Sequence, residues 1–508
     1  MVYLIGIDCG TSGIKSVLVD EKGATVASAN YELELSTPKP LWAEQNPDEW
    51  WKGTLETLHA VVKQSGVNPA DIKGIGLSGQ MHSVVLLDKN QKVLRPSILW
   101  CDNRTTPQRQ WITDRVGEDN LRKWVANPPL EGFTAPKLVW VRDNEPEIYK
   151  QIHTVLIAKD YVRFKLTGEL LTEVSDAAGS VMLDVRNRTW SKEFLNAIEI
   201  PTEWLPECRE STDVCGTVTQ AVADATGLAA GTPVVGGGAD NPCGGVGNGV
   251  VVEGRVLASL GTSGVIFAPA SSVKVDPDMR VHTFCHCVPN TWYLMGVVLS
   301  AAGSFRWFRD QLGQAEIAKA KQTGDDEYNL LCAAAEKVQP GAQGLYFLPY
   351  LSGERTPHKD GQARGAFVGL TLSHTREDMI RAVIEGITFA MRDSIEIMRE
   401  LGIDVTEVRA TGGGAKNPFW RQLQADIYRA DVVTIQATEG PALGAAILAG
   451  VGCGVYDNIP EATDQLVAVA DRISPRPDVS AQYDEHYQLY RELYPALKSS
   501  YQNIAKFV

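Results

Sequence analysis

The sequence predicts an α/β protein of two related lobes facing each other across a cleft. Three observations carry this. Gly-Thr-Ser-Gly stands at residues 10–13 and again at 261–264, once in each half of a 508-residue chain. Each copy lies between two apolar, strand-like runs, YLIGIDC and IKSVLVD in the first half, RVLASL and VIFAP in the second. Between the halves runs a glycine-rich segment, TPVVGGGADNPCGGVGNG. Two strands joined by such a turn bring backbone N–H groups and hydroxyls to one point, which suits a phosphate. One device per half implies two lobes closing on a nucleotide, hence an ATP-using enzyme.

The elements follow in order. Residues 1–35 read as a meander of YLIGID, IKSVLVD and ATVASANYELEL, punctuated by GTSG and EKG. PDEWWKGTLETLHAVVKQ has helical periodicity, with Pro47 and Asp48 suited to a helix start. IKGIGLSG, SVVLLD and SILWCD read as further strands, and helical patterns with a long insertion fill 105–230. The strand of TPVVGGG then breaks at a glycine bend, with a helix expected near Pro242. This boundary divides the chain into lobes 1–246 and 247–508. From about Gly254 the three-strand opening repeats. VRATGGGAKNPFWRQLQADIYR gives a strand, a glycine turn and an amphipathic helix, and DEHYQLYRELYPALKSSYQ a helical tail packed back on the body. Sheets interrupted by helices in each half define the α/β class.

A net charge of −14, from 48 basic and 62 acidic residues, argues against a general nucleic-acid or anionic-membrane surface. With 44% apolar and 22% charged residues the chain has ample material for cores. No signal peptide is visible before the first strand, and no apolar run approaches the roughly 18 residues of a membrane span. Nine scattered cysteines without a CxxC pair suit reduced thiols, so a cytoplasmic protein is expected. The densest Cys/His group is His282, Cys285, His286 and Cys287. Side chains there alternate between faces of a strand, which favours core packing over a tetrahedral metal site.

Phosphoryl transfer requires phosphates held in line, charge neutralised, and a group to take the hydroxyl proton. No GxxxxGK[ST] segment occurs, nor the HRD and DFG set of protein kinases. The two GTSG turns are therefore left to cradle the phosphates, Thr11 and Ser12 from one lobe, Gly261 and Thr262 from the other. Asp8 precedes the first turn. A carboxylate there would repel phosphate without a cation between them, which assigns it to Mg²⁺ through water, although turns favour Asp for its own sake. Lys15 is either a positive charge near the phosphates or an exposed strand lysine. Asp240 follows three glycines at a strand end; from the residues alone it is a helix cap or a carboxylate aimed at substrate.

These motifs extend into a resemblance. IGIDCGTSGIKS, LSGQMH, GFTAPKLVWVRDN, GGGADN, SLGTSG, SAAGSFRWFRD, PYLSGERTPHKD, GAFVGLTLSHTREDMIRAVIEG and TGGGAKNPFWRQLQAD, in this order over nearly the whole chain, resemble the FGGY carbohydrate kinases. That family has two actin-like, ribonuclease-H-like lobes and a deep interdomain cleft. SGQMH and LSGERTPH are similar to its xylulokinase branch. The resemblance implies ATP, Mg²⁺ and a small sugar as ligands, D-xylulose as the acceptor, and a homodimer as a common assembly. It implies Asp240 as general base, Met81 packing on the sugar, His82 hydrogen-bonding it, and Asn241 holding a second hydroxyl. It places Gly412, Gly413 and Asn417 around adenosine, Arg306 and Trp307 near the nucleotide, and Asp102, Asn103 and Arg104 near the sugar cleft. Cys101 and Ser83 depart from the pattern, which keeps ribulose, gluconate and glycerol open as acceptors. The alternative of another class is an actin-like ATP-binding sensor, since fold does not fix function.

Overall fold

Strands β1 (Tyr3–Cys9) and β2 (Gly13–Asp20) form the first expected hairpin, paired antiparallel from Tyr3 opposite Asp20 to Cys9 opposite Ile14. The protein is described by a computed structural model over residues 1–436 and 439–507. Strand β3 (Thr25–Glu32) continues the meander on β2, and β4 (Ile72–Gly79) lies parallel on the other side of β1. Strands β5 (Val214–Thr217) and β6 (Pro233–Val235) complete the order β5-β6-β4-β1-β2-β3, and β7 (Gly238–Ala239) also pairs with β4.

The second sheet repeats this plan. β8 (Arg255–Leu260) and β9 (Gly264–Ala270) are the second hairpin. β10 (His282–Cys285) and β11 (Trp292–Val298) form an antiparallel pair outside β9; β12 (Glu407–Gly412), β13 (Asp431–Ile435) and β14 (Val469–Ile473) continue beyond β8. The run β14-β13-β12-β8-β9-β11 matches β5-β6-β4-β1-β2-β3 strand for strand, with the same parallel and antiparallel joins. The duplication therefore reaches beyond the repeated opening read from the sequence. In the second copy the third strand is β11, and β10 intervenes in the chain before it. This doubled sheet is the two-lobed arrangement expected.

Helix α1 (Pro47–Ser65) starts where Asn46 accepts the N–H of Asp48 and stops at left-handed Gly66, covering β2 and β3. Two short helices, α2 (Ala158–Thr167) and α3 (Val174–Gly179), pack at the ends of β4 and β7. The glycine bend leads into α4 (Asp240–Gly247), two residues earlier than expected. In the second half α5 (Ala302–Leu312), α6 (Arg376–Glu400) and α7 (Pro418–Tyr428) build the other core. The tail helix α9 (Pro477–Ile504) is fixed to α6 by buried tyrosines: Tyr483 Oη donates to Glu385 at 2.7 Å and Tyr487 Oη to Asp393 at 2.6 Å.

Helix α8 (Gly440–Gly452) crosses between the halves. Its sequence is apolar all round, as burial on every side requires. It lies so close to the first sheet that a Cβ on Gly6 would fall 1.8 Å from the Ala442 carbonyl oxygen, and one on Gly76 2.0 Å from that of Ala445. It also crosses α4, where a Cβ on Gly444 would meet the Cys243 oxygen at 1.9 Å. A helix from the second half of the chain thus covers the first sheet. Among the described residues no helix is long and apolar enough to cross a membrane.

The Cys/His group is packed in the core. His286 Nε2 lies 3.2 Å from the Val250 oxygen and its Nδ1 accepts the Val288 N–H at 3.1 Å; Cys285 Sγ reaches the Val185 oxygen at 3.6 Å. His282 stacks on Phe284, and Cys287 is fully buried.

Candidate active site

Each GTSG turn is closed by the amide of its first glycine, Gly10 N–H reaching the oxygen of the fourth residue, Gly13, and Gly261 N–H that of the third, Ser263, both at 3.0 Å. In the second turn the first amides of α5 donate back, Ala302 to Gly261 and Gly303 to Thr262. In the first, Thr11 is fixed from three sides. Its hydroxyl accepts the Trp100 indole N–H at 2.8 Å and points to Gln80 Oε1 at 3.4 Å, while its carbonyl accepts Gln45 Nε2 at 2.8 Å. Ser12, Gly261 and Thr262 are exposed. Lys15 is neither free nor simply exposed: its ammonium pairs with Glu439, just before α8, at 2.5 Å.

Two adjoining cavities follow from this layout. One of about 330 Å³ is lined by Gly261, Thr262, Arg306, Gly413, Lys416 and Asn417. The other, about 900 Å³, is lined by Asp240, Asn241, Ser259, Gly412, Gly413 and Lys416. Gly413 and Lys416 belong to both, so the glycine run joins the two spaces. Gly412 has φ 78°, and Cβ atoms at Gly412 and Gly414 would collide with Leu260; Gly412 lines the larger cavity and Gly413 both. Asn417 caps α7, accepting Phe419 N–H at 3.0 Å, and its amide donates to Asn329 at 2.8 Å. Trp307 instead is half-buried and stacks on Phe347 at the edge of the core.

Asp240 is the first residue of α4, and the cap position is Ala239. Its carboxylate accepts Asn241 N–H at 2.7 Å and Asn241 Nδ2 at 3.0 Å; the same amide reaches Met81 Sδ at 3.6 Å. Burial, then the negative charge of Asp8, pushes Asp240 up to about 7, against the hydrogen bonds of Asn241. Asp8 is pushed up to about 6 by burial, against Ser78 and Lys15. Its Oδ1 is buried with no hydrogen-bond partner among the described residues. That orphaned lone pair fits a water on a divalent cation.

His82 has a left-handed backbone, φ 68°. The conformation is sustained because its carbonyl accepts Thr134 Oγ1 at 3.1 Å and Lys137 Nζ at 2.9 Å. Its Nδ1 faces the Gly179 oxygen at 2.6 Å and must donate to it. Burial, then the Lys137 charge, keeps the imidazole neutral, which leaves Nε2 as an acceptor. Asp102 and Arg104 are spent on structure. Asp102 accepts Ala43 N–H at 2.6 Å and binds Arg104, whose guanidinium lies 3.6 Å from the Trp42 ring centroid. Asn103 is exposed.

The model for the N-terminal domain of the FGGY family of carbohydrate kinases matches residues 3–247, and that for its C-terminal domain residues 256–453. The chain belongs to this family. This FGGY kinase is 41% identical to the xylulose kinase of Bacillus subtilis over 98% of both chains. A solved xylulose kinase from Rhodospirillum rubrum superposes with a TM-score of 0.91 at 30% identity, covering 98% of this chain and 100% of that one. A gluconokinase from Bacillus licheniformis is 31% identical over 99% of this chain and 98% of its own length.

Several residues around the FGGY kinase site escaped the sequence reading. Gln80 stands inside LSGQMH and receives Ser83 Oγ at 2.9 Å, which gives the departure at Ser83 a structural use. Gln45 and Trp100 meet the first turn from segments far away in sequence, and no spacing marks them. Lys137 lies in GFTAPK, where its buried contact with His82 was the missing signal.

Proposed function

We propose that the protein transfers the terminal phosphoryl group of ATP to D-xylulose, giving D-xylulose 5-phosphate and ADP. One observation carries the reading: a carboxylate poised near neutral pH, Asp240, lines the same cavity as Gly412 and Gly413, beside an amide that reaches Met81. The greater identity to xylulose kinases than to the gluconokinase supports the choice of sugar.

In this reading Met81 packs on the pentulose, His82 Nε2 accepts one of its hydroxyls and Asn241 holds another. Asp240 takes the proton of the attacking hydroxyl as its oxygen bonds to phosphorus and the bond to the ADP oxygen breaks. Late proton transfer makes placement more important than a high pKa. Thr11 and Ser12 meet the phosphates from one lobe, Gly261 and Thr262 from the other, with Lys15 beside them. Gly412, Gly413 and Asn417 border adenosine. Asp8 would hold Mg²⁺ through water, and the bound ion would neutralise phosphate charge. Lobe closure would exclude water from the reaction.

The test is ADP release with Mg-ATP against D-xylulose, L-xylulose, D-ribulose, L-ribulose, glycerol and gluconate. The highest kcat/KM belongs to D-xylulose; a higher value for another sugar keeps the kinase and discards this acceptor.

A further inference from the structure

Helix α3 touches the site at both ends. At its last residue, the Gly179 oxygen takes the His82 Nδ1–H at 2.6 Å. At its second residue, Ser175 Oγ accepts the backbone N–H of Ala239 at 3.0 Å, one residue before Asp240. The Ser175 proton is committed elsewhere, to Glu173 Oε1 at 2.8 Å, so its lone pairs are turned toward Ala239.

Glu173 is held in turn. It accepts the Ser175 and Asp176 amides and the Ser211 hydroxyl, each at 2.8 Å. Lys159 Nζ lies 3.3 Å from Glu173, 2.7 Å from Asp160 and 3.1 Å from Asp176, and all four side chains are fully buried. Against the burial that disfavours its charge, Asp160, Glu173 and Asp176 keep Lys159 protonated. Arg163, paired with Asp160 at 3.1 Å, donates to the Gly236 oxygen at 2.9 Å, and Gly237 N–H donates to the Ser211 oxygen. Residues 236–239 are thus gripped at Gly236, Gly237 and Ala239 by one buried network, and the next residue is Asp240. Such a network is poor evidence for stability in itself. Its polar outlets converge on the backbone that carries the carboxylate.

We infer that Ser175 is a positioning residue for phosphoryl transfer: through Ala239 N–H it sets the Asp240 carboxylate against the hydroxyl of a sugar held by His82. Both contacts lie on one six-residue helix, so base and sugar ligand share a common strut. Small displacements of a reacting group are costly, which makes such a strut matter. The inference rests on the reading of Asp240 as the base.

The test uses the full-length enzyme. Ser175→Ala keeps the Glu173 cap of α3 but removes the acceptor for Ala239. It lowers kcat about tenfold with both KM values nearly unchanged, because ground-state binding is untouched. Ser175→Thr, which retains the hydroxyl, recovers most of that loss. In an Asp240→Asn background, Ser175→Ala leaves the residual rate unchanged, the non-additivity of residues acting through one group. A wild-type kcat for Ser175→Ala overturns the inference, as does an equal loss in the Asp240→Asn background. If Ser175→Ala does not fold, Ser211→Ala loosens Glu173 from its other side; it lowers kcat alone, and a wild-type kcat there overturns the inference equally. Wild-type turnover by Asp240→Asn instead removes the base assignment itself, a result distinct from normal turnover by Ser175→Ala.

Discussion

The charge of Asp8 raises the pKa of Asp240, second only to burial, so the two carboxylates form one electrostatic unit. Asp8 reaches it from β1, before the first GTSG turn, and Asp240 from the first turn of α4. Neither is comfortable when ionised in the free protein. A cation beside Asp8 would relieve both.

The pH dependence follows. Asp240 accepts a proton only when ionised, so kcat/KM for the sugar at low Mg-ATP rises with pH to a limb near 7 and then levels. Once Mg-ATP is bound, the Asp8 charge is offset and the limb in kcat lies at lower pH. Rate profiles at low and saturating Mg-ATP check this. Coincident limbs, or no acid limb at all, contradict it.

The same shift affects stability. Asp240 has a folded-state pKa of about 7, above the roughly 3.9 of an unfolded Asp. Its stabilising contribution is therefore complete below the unfolded value and lost as pH rises through the folded one. Asp240→Asn should make the free protein more stable than wild type by up to about 4 kcal/mol at about pH 8. The gain shrinks steadily as pH falls toward the unfolded pKa. Urea unfolding at several pH values measures it; a pH-independent difference contradicts the assignment.

Much of the fold was legible because the hairpins sit where strand-like runs flank a glycine turn, and α1 is marked by Pro47, Asp48 and its period. The full duplication was not. β6 and β7 are three and two residues long, and their pairing is fixed by partners elsewhere in the chain. The place of α8 was hidden for another reason: a helix apolar on every side declares burial but no face. Motif resemblance singled out Met81, His82 and Asp240, and the fold brings Asn241, beside Asp240, to Met81. Gln45, Trp100 and Ser175 act through contacts between distant segments, which only the folded chain brings together. The resemblance set Asp102 and Arg104 near the sugar cleft; in the fold Arg104 pairs with Asp102 at 2.7 Å and with Glu44 at 2.8 Å.

His82 supports a prediction on sugar recognition. Its neutral ring has one nitrogen committed to Gly179 and one open. His82→Ala should raise the KM for D-xylulose by about 10–100-fold with little change in that for Mg-ATP. Lys137→Met, which frees the His82 carbonyl, should act in the same direction more weakly. An unchanged sugar KM in His82→Ala removes the residue from the sugar site.

The crossing of α4 and α8 gives a packing prediction. A Cβ at Gly444 would lie 1.9 Å from the Cys243 oxygen, a backbone atom that cannot swing aside. Gly444→Ala should cost about 1–3 kcal/mol in chemical denaturation, and α4, which begins at Asp240, should shift with it. A variant as stable as wild type would show that the helices separate at no cost.

The most direct test of the account is Asp240→Asn with D-xylulose and Mg-ATP, reading phosphoryl transfer and nucleotide binding in the same preparation. The account predicts that kcat falls by roughly 10²–10⁴-fold while Mg-ATP still binds. Near-wild-type turnover would contradict it, because the cleft would then have no need of the carboxylate at its wall.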